Sequence, residues 1–224
     1  WRESSQGANH DLIYVYSEDG GISWKNNSGN VLPEPPHVNS PDIIAIPIGR
    51  EYGLMNTHGQ DVDSKNRIHT VIWHCSDQTL KEAGSAPGEH RWGPPEARRY
   101  HHYWRETNGN WHHTEIPWVA GNRPKLFIDN KDNIVLIFAN NQDSSLLMKN
   151  VEGHKGDLII AVATADTDYN DWKAVHVEPG PFVNEMLGDY YRWKSDGILS
   201  VMVQEFPEKE HQATPLRVID FKID

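Results

Sequence analysis

Short runs of apolar residues separated by polar turns recur along the whole chain. The longest runs, at residues 43–48 and 158–163, are only about six residues long and are flanked by Gly, Pro, Asp and Asn. Runs of this length without helical periodicity predict buried β-strands. A membrane-spanning helix would need about 20 apolar residues, so we expect no membrane association through such a helix.

Internal repeats organise these strands. Residues 61–74, 127–140 and 191–204 align as a strand, a polar turn and a second strand, and Ile68, Ile134 and Ile198 recur at a nearly constant spacing. A second repeat relates residues 10–24 to residues 156–172, roughly two such spacings apart. We therefore predict four-stranded antiparallel units, each opened by a hairpin.

Short repeated strands of this kind predict an all-β fold, a β-propeller of four-stranded antiparallel blades. Residues 17–24 fit the Asp-box pattern S-x-D-x-G-x-x-W, which favours a structural role for Asp19 within a turn. Predicted groups of two, four, four and three strands make a little over three blades, whereas closure needs at least about four. We expect residues 1–224 to form one domain that is part of a propeller, completed by further blades or a second chain.

Composition narrows the functional classes. The net charge is −11 and no stretch collects Lys and Arg into a stripe, so nucleic acid is not an expected partner. The single cysteine, Cys75, cannot form an internal disulfide. Histidine is unusually frequent, with 13 residues, and eight of them lie from His58 to His113, a clustering that suggests metal binding or catalysis.

One edge of the predicted sheets gathers the unusual residues. In a four-stranded antiparallel blade, the first strand starts, the second ends and the third starts at the same edge. We call this edge the insertion rim, because residues 76–99 form an insertion that emerges there. The residues predicted on it are His10, His58, His74, Cys75, Arg123 and residues 100–103. The later repeat has Gly156 where the first has His10, so packing does not require histidine at that position.

Thiol and imidazole groups meet at this rim and suggest zinc. The candidates are His58, His74, Cys75, His90, His101 and His102. Strand alternation puts His74 and Cys75 on opposite faces, so we expect only one of them to bind. The predicted set for a closed structural zinc site is His58, Cys75, His90 and His102. A buried free cysteine among exposed histidines is the alternative.

Several motifs in order resemble the BNR-repeat propellers that include ulvan lyases. They are NHDLIYVYSEDGGISW, GLMNTHGQDVDSKNRIHTVIWH, HHYWRETNGNW, GNRPKLFIDNKDN and GILSVMVQ, and they span nearly the whole chain. The resemblance implies seven blades, of which this chain supplies about half, a structural zinc, and β-elimination on a sulfated, uronate-containing algal polysaccharide. It assigns catalytic roles to His10, Tyr103 and Arg123. His37 or His58 would supply a second histidine, and Tyr100 is an alternative to Tyr103.

The residue types suit that chemistry. Removing the proton on carbon five of a uronate requires neutralisation of its carboxylate, for which the guanidinium of Arg123 is suited. Tyr103 is expected to act as base, and His10 to share neutralisation or proton transfer. His37, Tyr100 and Trp104 are the predicted substrate-binding residues. The structural alternatives are packing for Tyr103, blade-to-blade contacts for Arg123 and a strand cap for His10. We expect a secreted, cell-surface or periplasmic protein.

Two other functions fit a propeller with an Asp box. A sialidase-like hydrolase needs three arginines that converge on the substrate carboxylate, and Arg123 is the clear rim arginine at a strand start. A non-catalytic carbohydrate-binding propeller would use the same rim without a poised base. Only a lyase leaves an unsaturated uronate in its product.

Overall fold

Four antiparallel sheets follow one another along the chain. The computed structural model describes residues 8–55, 59–121, 123–140, 155–183, 185–209 and 212–223. Within these ranges the first sheet contains β1 (Leu12–Ile13) and β2 (Ile44–Ile46), and the second contains β3 (Gly59–Val62), β4 (Ile68–His74), β5 (Arg99–Arg105) and β6 (Trp111–Val119). The third contains β7 (Lys125–Ile128), β8 (Ile134–Asn140), β9 (Lys155–Ala163) and β10 (Lys173–Val183), and the fourth β11 (Leu187–Gly188), β12 (Ile198–Gln204) and β13 (Leu216–Lys222).

The grouping of the strands confirms the all-β prediction. The described residues form sheets of two, four, four and three strands, and each four-stranded sheet keeps its strands in chain order. In the ranges that the structure describes, two short α-helices lie between the strands, α1 (Asp77–Glu82) and α2 (Tyr190–Asp196). No helix in the described part of the chain has the length and apolar character needed to cross a membrane.

Aspartates close the predicted hairpin turns. The Asp63 carboxylate accepts hydrogen bonds from the backbone N–H groups of Lys65 and Arg67, at 2.9 and 2.8 Å. Asp129 does the same for Lys131 and Asn133 in the next sheet, at 2.8 Å each. The same turn chemistry therefore forms the β3–β4 and β7–β8 hairpins, as the repeat predicts.

The third copy of the repeat differs from the prediction. Residues 190–196 form α2, not a strand, because Asp189 caps the helix by accepting from Arg192 N–H and Gly197 ends it at a φ of 68°. Trp193 is buried, and its indole N–H donates to the Ile128 carbonyl at 2.8 Å. The cap at Asp189, the termination at Gly197 and the buried Trp193 thus favour a helix where the other two copies form a strand.

Each sheet packs its faces against the neighbouring sheets. Ile48 and Leu54 contact Ile72 and Tyr103 between the first and second sheets. Larger clusters, built around Trp73 and Phe138 or around Phe127 and Val201, join the second to the third sheet and the third to the fourth. This succession of face-packed antiparallel sheets is the arrangement of propeller blades.

The Asp box is a structural turn, as its pattern predicts. Asp19 accepts from the backbone N–H groups of Ile22 and Ser23 at 3.1 and 2.9 Å, and from the Ser17 hydroxyl at 2.8 Å. These hydrogen bonds, led by that of the Ser23 hydroxyl, hold the pKa of Asp19 well below its usual value. The carboxylate is thereby committed to the turn.

Gly156 is required by the packing of the third sheet. A Cβ atom at this position would lie against the Asn140 carbonyl oxygen. Histidine at the equivalent place in the first sheet therefore reflects a different local backbone, and the comparison of His10 with Gly156 does not isolate a functional requirement.

We expect Gly156→Ala to lower the free energy of unfolding by about 2 kcal/mol or more, because the backbone must shift to relieve the clash. Gly49→Ala is the matched control, since the atoms nearest to a Cβ there belong to the end of the flexible Glu51 side chain. Urea denaturation measures both variants. Equal stabilities for the two would contradict the packing argument.

Candidate functional site

The insertion at residues 76–99 forms a compact unit on the insertion rim. Ser76 caps α1 by accepting from Thr79 N–H, and the Thr79 side chain in turn accepts from Ser76 N–H. Cys75, Leu80 and Ala97 form a small buried cluster beneath the insertion. The insertion therefore has its own core and holds the ends of β4 and β5 in place.

His10 is held by the next residue in the chain. Its Nδ1 lies 2.6 Å from Asp11 Oδ2, and the two side chains are only 16% and 17% exposed. The other carboxylate oxygen, Asp11 Oδ1, accepts from Ile48 N–H at 3.0 Å. Because a carboxylate accepts hydrogen bonds, this contact places a hydrogen on His10 Nδ1.

Arg123 lies just before β7 and forms an ion pair with Glu185, which lies between β10 and β11. Its Nη1 is 2.8 Å from Glu185 Oε2, and Lys125 Nζ is 3.6 Å from Glu185 Oε1. The Arg123 side chain is 23% exposed. Two cations thus share one carboxylate at this point of the insertion rim, within a chain of strongly negative net charge.

Tyr103 is buried against the first sheet and hydrogen-bonded to His74. His74 Nδ1 donates to the Cys75 carbonyl at 2.7 Å, so its Nε2 accepts from the Tyr103 hydroxyl at 2.9 Å. Burial raises the pKa of Tyr103 far above its usual value. Tyr103 is 4% exposed and keeps its proton, which corrects its predicted role as catalytic base.

Two further histidines extend this cluster, and the sequence analysis missed His113. His101 Nε2 donates to the His74 carbonyl at 3.2 Å, so its Nδ1 accepts from His113 Nε2 at 2.9 Å. The rings of His74 and His101 stack with centroids 3.6 Å apart. The signal for His113 lies in the strand register, because Tyr103 and His113 are direct partners across β5 and β6.

Another pair of histidines lies on the opposite face of the same sheet. His69 Nε2 contacts Asp63 Oδ2 at 3.4 Å, and its Nδ1 lies 3.0 Å from His102 Nε2. Asp63 also forms an ion pair with Arg67 at 2.5 Å. This polar group links the second sheet to the third, because the Arg67 guanidinium donates to the Tyr169 hydroxyl at 2.8 Å.

The predicted sugar-contacting aromatic residues on β5 are core residues. Tyr100 is fully buried, and its hydroxyl accepts from Gly121 N–H at 3.0 Å. Trp104 is 4% exposed, and its ring is stacked on His112 with centroids 4.0 Å apart. The alternation of β5 turns both side chains toward the third sheet, which corrects their predicted role as substrate-binding residues.

Two of the predicted zinc ligands, Cys75 and His102, lie at different levels of the second sheet. Val71 is the direct strand partner of His102, and Cys75 follows four residues later, roughly 13 Å along an extended strand. Burial raises the pKa of Cys75 to about 11, which favours the thiol over the thiolate that zinc binds. His90 is exposed in the insertion, and His58 lies outside the described residues. Within the described ranges, no three His, Cys, Asp or Glu side chains are grouped to hold a metal ion.

His37 remains a candidate from sequence alone. It is exposed in the long connection between β1 and β2, and its Nδ1 accepts from Asn39 N–H at 3.1 Å. The structure therefore brings His10 to Asp11 and Arg123 to Glu185, but it leaves His37 in a loop of its own.

A comparison with protein families decides the wider relationship. The profile described as "BNR repeat-containing family member" matches residues 1–119. The chain belongs to this family. The matched part of the BNR-repeat chain runs from the N-terminal segment to the end of β6, so it includes His10, the Asp box and the histidine cluster, whereas Arg123 follows it. No curated protein matches the chain. The family match and the stacked antiparallel sheets together support a propeller-type fold.

Proposed function

We propose that this BNR-repeat protein is a polysaccharide lyase that cleaves a uronate-containing sulfated polysaccharide, such as ulvan, by β-elimination at the insertion rim. The observation that carries the proposal is the pair of held groups, His10 on Asp11 and Arg123 on Glu185. His10 is a candidate base whose Nδ1 carries the hydrogen, and Arg123 is a candidate partner for the carboxylate of the substrate. The ordered motifs that resemble ulvan lyases supply the substrate class.

The first step requires a neutralised uronate carboxylate. Arg123 and Lys125 place two cationic groups side by side before and at the start of β7, and the planar guanidinium of Arg123 is suited to pair with a substrate carboxylate. Electron withdrawal through the neutralised carboxylate increases the acidity of the proton on carbon five. This step assigns Arg123 to substrate activation.

The elimination itself is a proton transfer coupled to bond cleavage. His10 Nε2 takes the proton from carbon five, because Nδ1 already carries the hydrogen donated to Asp11. The electron pair of that C–H bond forms the double bond between carbons four and five, and the bond from carbon four to the glycosidic oxygen breaks. The leaving oxygen then receives a proton, which protonated His10 can supply.

The proposal also covers closure of the propeller ring and the location of the protein. Further blades or a second copy of the chain would close the ring, seven blades being the number that the resemblance implies. A secreted, cell-surface or periplasmic protein would meet such a polymer directly. Zinc, which the resemblance implies in a structural role, has no fitting ligand group among the described residues, and the steps above are derived from His10 and Arg123 alone.

A sialidase-like hydrolase is less consistent with the arginines. Arg98 is buried and donates to the carbonyls of Trp92 and Gly93, whereas Arg105 binds Asn27 on the first sheet. Arg192 pairs with Asp220 in the fourth sheet. These arginines are committed to separate parts of the fold, so they do not form a triad with Arg123.

The product distinguishes the candidate functions. We expect the whole protein, incubated with ulvan and with other uronate polysaccharides, to generate ultraviolet absorbance from a conjugated double bond next to the carboxylate. A hydrolase would release fragments without this absorbance, and a binding protein would release none. Either of these results with every substrate would overturn the lyase proposal.

A further inference from the structure

Asp11 adopts an unusual backbone conformation beside the proposed base. Its φ is 57°, in the left-handed region that few residues other than glycine, asparagine and aspartate adopt. Its backbone N–H donates to the Ile48 carbonyl at 2.9 Å, and its Oδ1 accepts from Ile48 N–H at 3.0 Å. Ile48 thus clamps both the backbone and one carboxylate oxygen of Asp11.

The clamp fixes the direction of the remaining oxygen. With Oδ1 bound to Ile48, Oδ2 faces His10 Nδ1 at 2.6 Å. Asparagine and glycine also suit this backbone conformation, but only aspartate presents two acceptor oxygens. The residue type is therefore matched to two demands at once, the left-handed turn and an acceptor for an imidazole N–H.

The repeat offers an internal comparison. Asp157 takes the place of Asp11 in the third sheet, next to Gly156, and its Oδ1 accepts from Gly180 N–H at 2.9 Å. A backbone hydrogen bond is therefore the shared role of this aspartate. The histidine contact and the left-handed conformation are features of Asp11 in the first sheet.

We infer that Asp11 is a positioning residue that holds His10 in the Nδ1–H tautomer and directs Nε2 as the proton acceptor. The inference deepens the proposed function and rests on it for its catalytic consequence, whereas the tautomer itself is a property of the protein without substrate. Residues that orient a catalytic histidine in this way act through the tautomer and not through contact with substrate.

Asp11→Asn tests the inference sharply. Asparagine tolerates the left-handed conformation, and its Oδ1 can still accept from Ile48 N–H. Its NH₂ group then faces His10 Nδ1, which must become the acceptor, so the hydrogen moves to Nε2. Asp168→Asn is the matched control, because Asp168 has a φ of 48° in the loop between β9 and β10.

Nitrogen-15 NMR of histidine-labelled protein reads the tautomer directly, with the His10 signals identified by their loss in His10→Gln. We expect Nδ1–H in the wild type and in Asp168→Asn, and Nε2–H in Asp11→Asn. An Nε2–H tautomer in the wild type, or an unchanged tautomer in Asp11→Asn, would overturn the inference.

Kinetics separate this result from the proposed function. A wrong tautomer removes the base, so kcat should fall by ~10²–10⁴-fold with little change in KM. A tautomer change without a fall in kcat would support the positioning by Asp11 but remove His10 from the reaction. Absence of lyase activity in the wild type would refute the proposed function and leave the tautomer measurement valid.

Discussion

His10→Ala is expected to reduce lyase turnover by ~10²–10⁴-fold, because it removes the group that takes the proton from carbon five. Arg123→Ala should reduce it by roughly 10²–10³-fold through loss of carboxylate neutralisation.

Tyr103→Phe should keep activity per folded molecule, although it should lower the free energy of unfolding by ~1–3 kcal/mol, since His74 Nε2 loses its donor. Initial rates of double-bond formation measure all three variants.

Matched controls use ion-paired residues away from the insertion rim. His176→Ala removes an exposed histidine paired with Glu178, and Arg192→Ala removes a partly exposed arginine paired with Asp220 at the opposite edge of the fourth sheet. Both should retain wild-type rates. Loss of activity in Tyr103→Phe, with full activity in His10→Ala, would return the role of base to Tyr103 and contradict the assignment.

Acidification is expected to unfold the protein cooperatively. His69, His74, His101 and His102 are all less than 10% exposed. Burial, before any other cause, lowers the pKa of each, to about 4 for His74 and about 2 for His101. Each must remain neutral in the folded state, but each is free to bind a proton once the chain unfolds.

The direction of the effect follows from these pKa values. A histidine whose folded pKa is depressed contributes its full stability above the unfolded pKa of 6.5, and this stability is lost as the pH falls below it. Each such histidine costs roughly 1 kcal/mol per pH unit. His74 and His101 alone lose roughly 4 kcal/mol over two pH units, a large part of the stability of an ordinary domain, and His69 and His102 act in the same direction.

Urea denaturation between neutral pH and about pH 4.5 measures this dependence. His101→Gln removes one buried imidazole and should reduce the steepness, whereas His176→Gln removes an exposed one and should not. A free energy of unfolding that stays constant below pH 6 would contradict the neutral state of the buried histidines.

Repeated turn chemistry made most of the fold predictable from the sequence. The aspartates at positions 63 and 129 mark the same hairpin in two sheets, and the apolar runs mark the strands between them. The strand predicted from residue 191 failed because Asp189 and Gly197 cap a helix there, which no strand pattern reports. The local helix caps therefore decided the structure of residues 190–196, although the repeat predicted a strand there.

The site was less predictable, because it depends on which face of a strand each residue occupies. His10 and Arg123 stand at strand starts, where position along the chain is informative. Tyr100, His102 and Trp104 share one face of β5, and the third sheet covers that face completely. The predicted zinc site placed His102 beside Cys75, but the strand register pairs His102 with Val71, four residues before Cys75.

The most direct test of the account is mass spectrometry of the fragments formed from a defined ulvan oligosaccharide. Elimination adds no water, so the masses of the two fragments should sum to the mass of the substrate, with the unsaturated uronate on one of them. His10→Ala should leave the oligosaccharide uncleaved under the same conditions. Fragments whose masses sum to the substrate plus one water would contradict β-elimination and indicate hydrolysis, and an oligosaccharide that the wild type leaves intact would contradict the account as well.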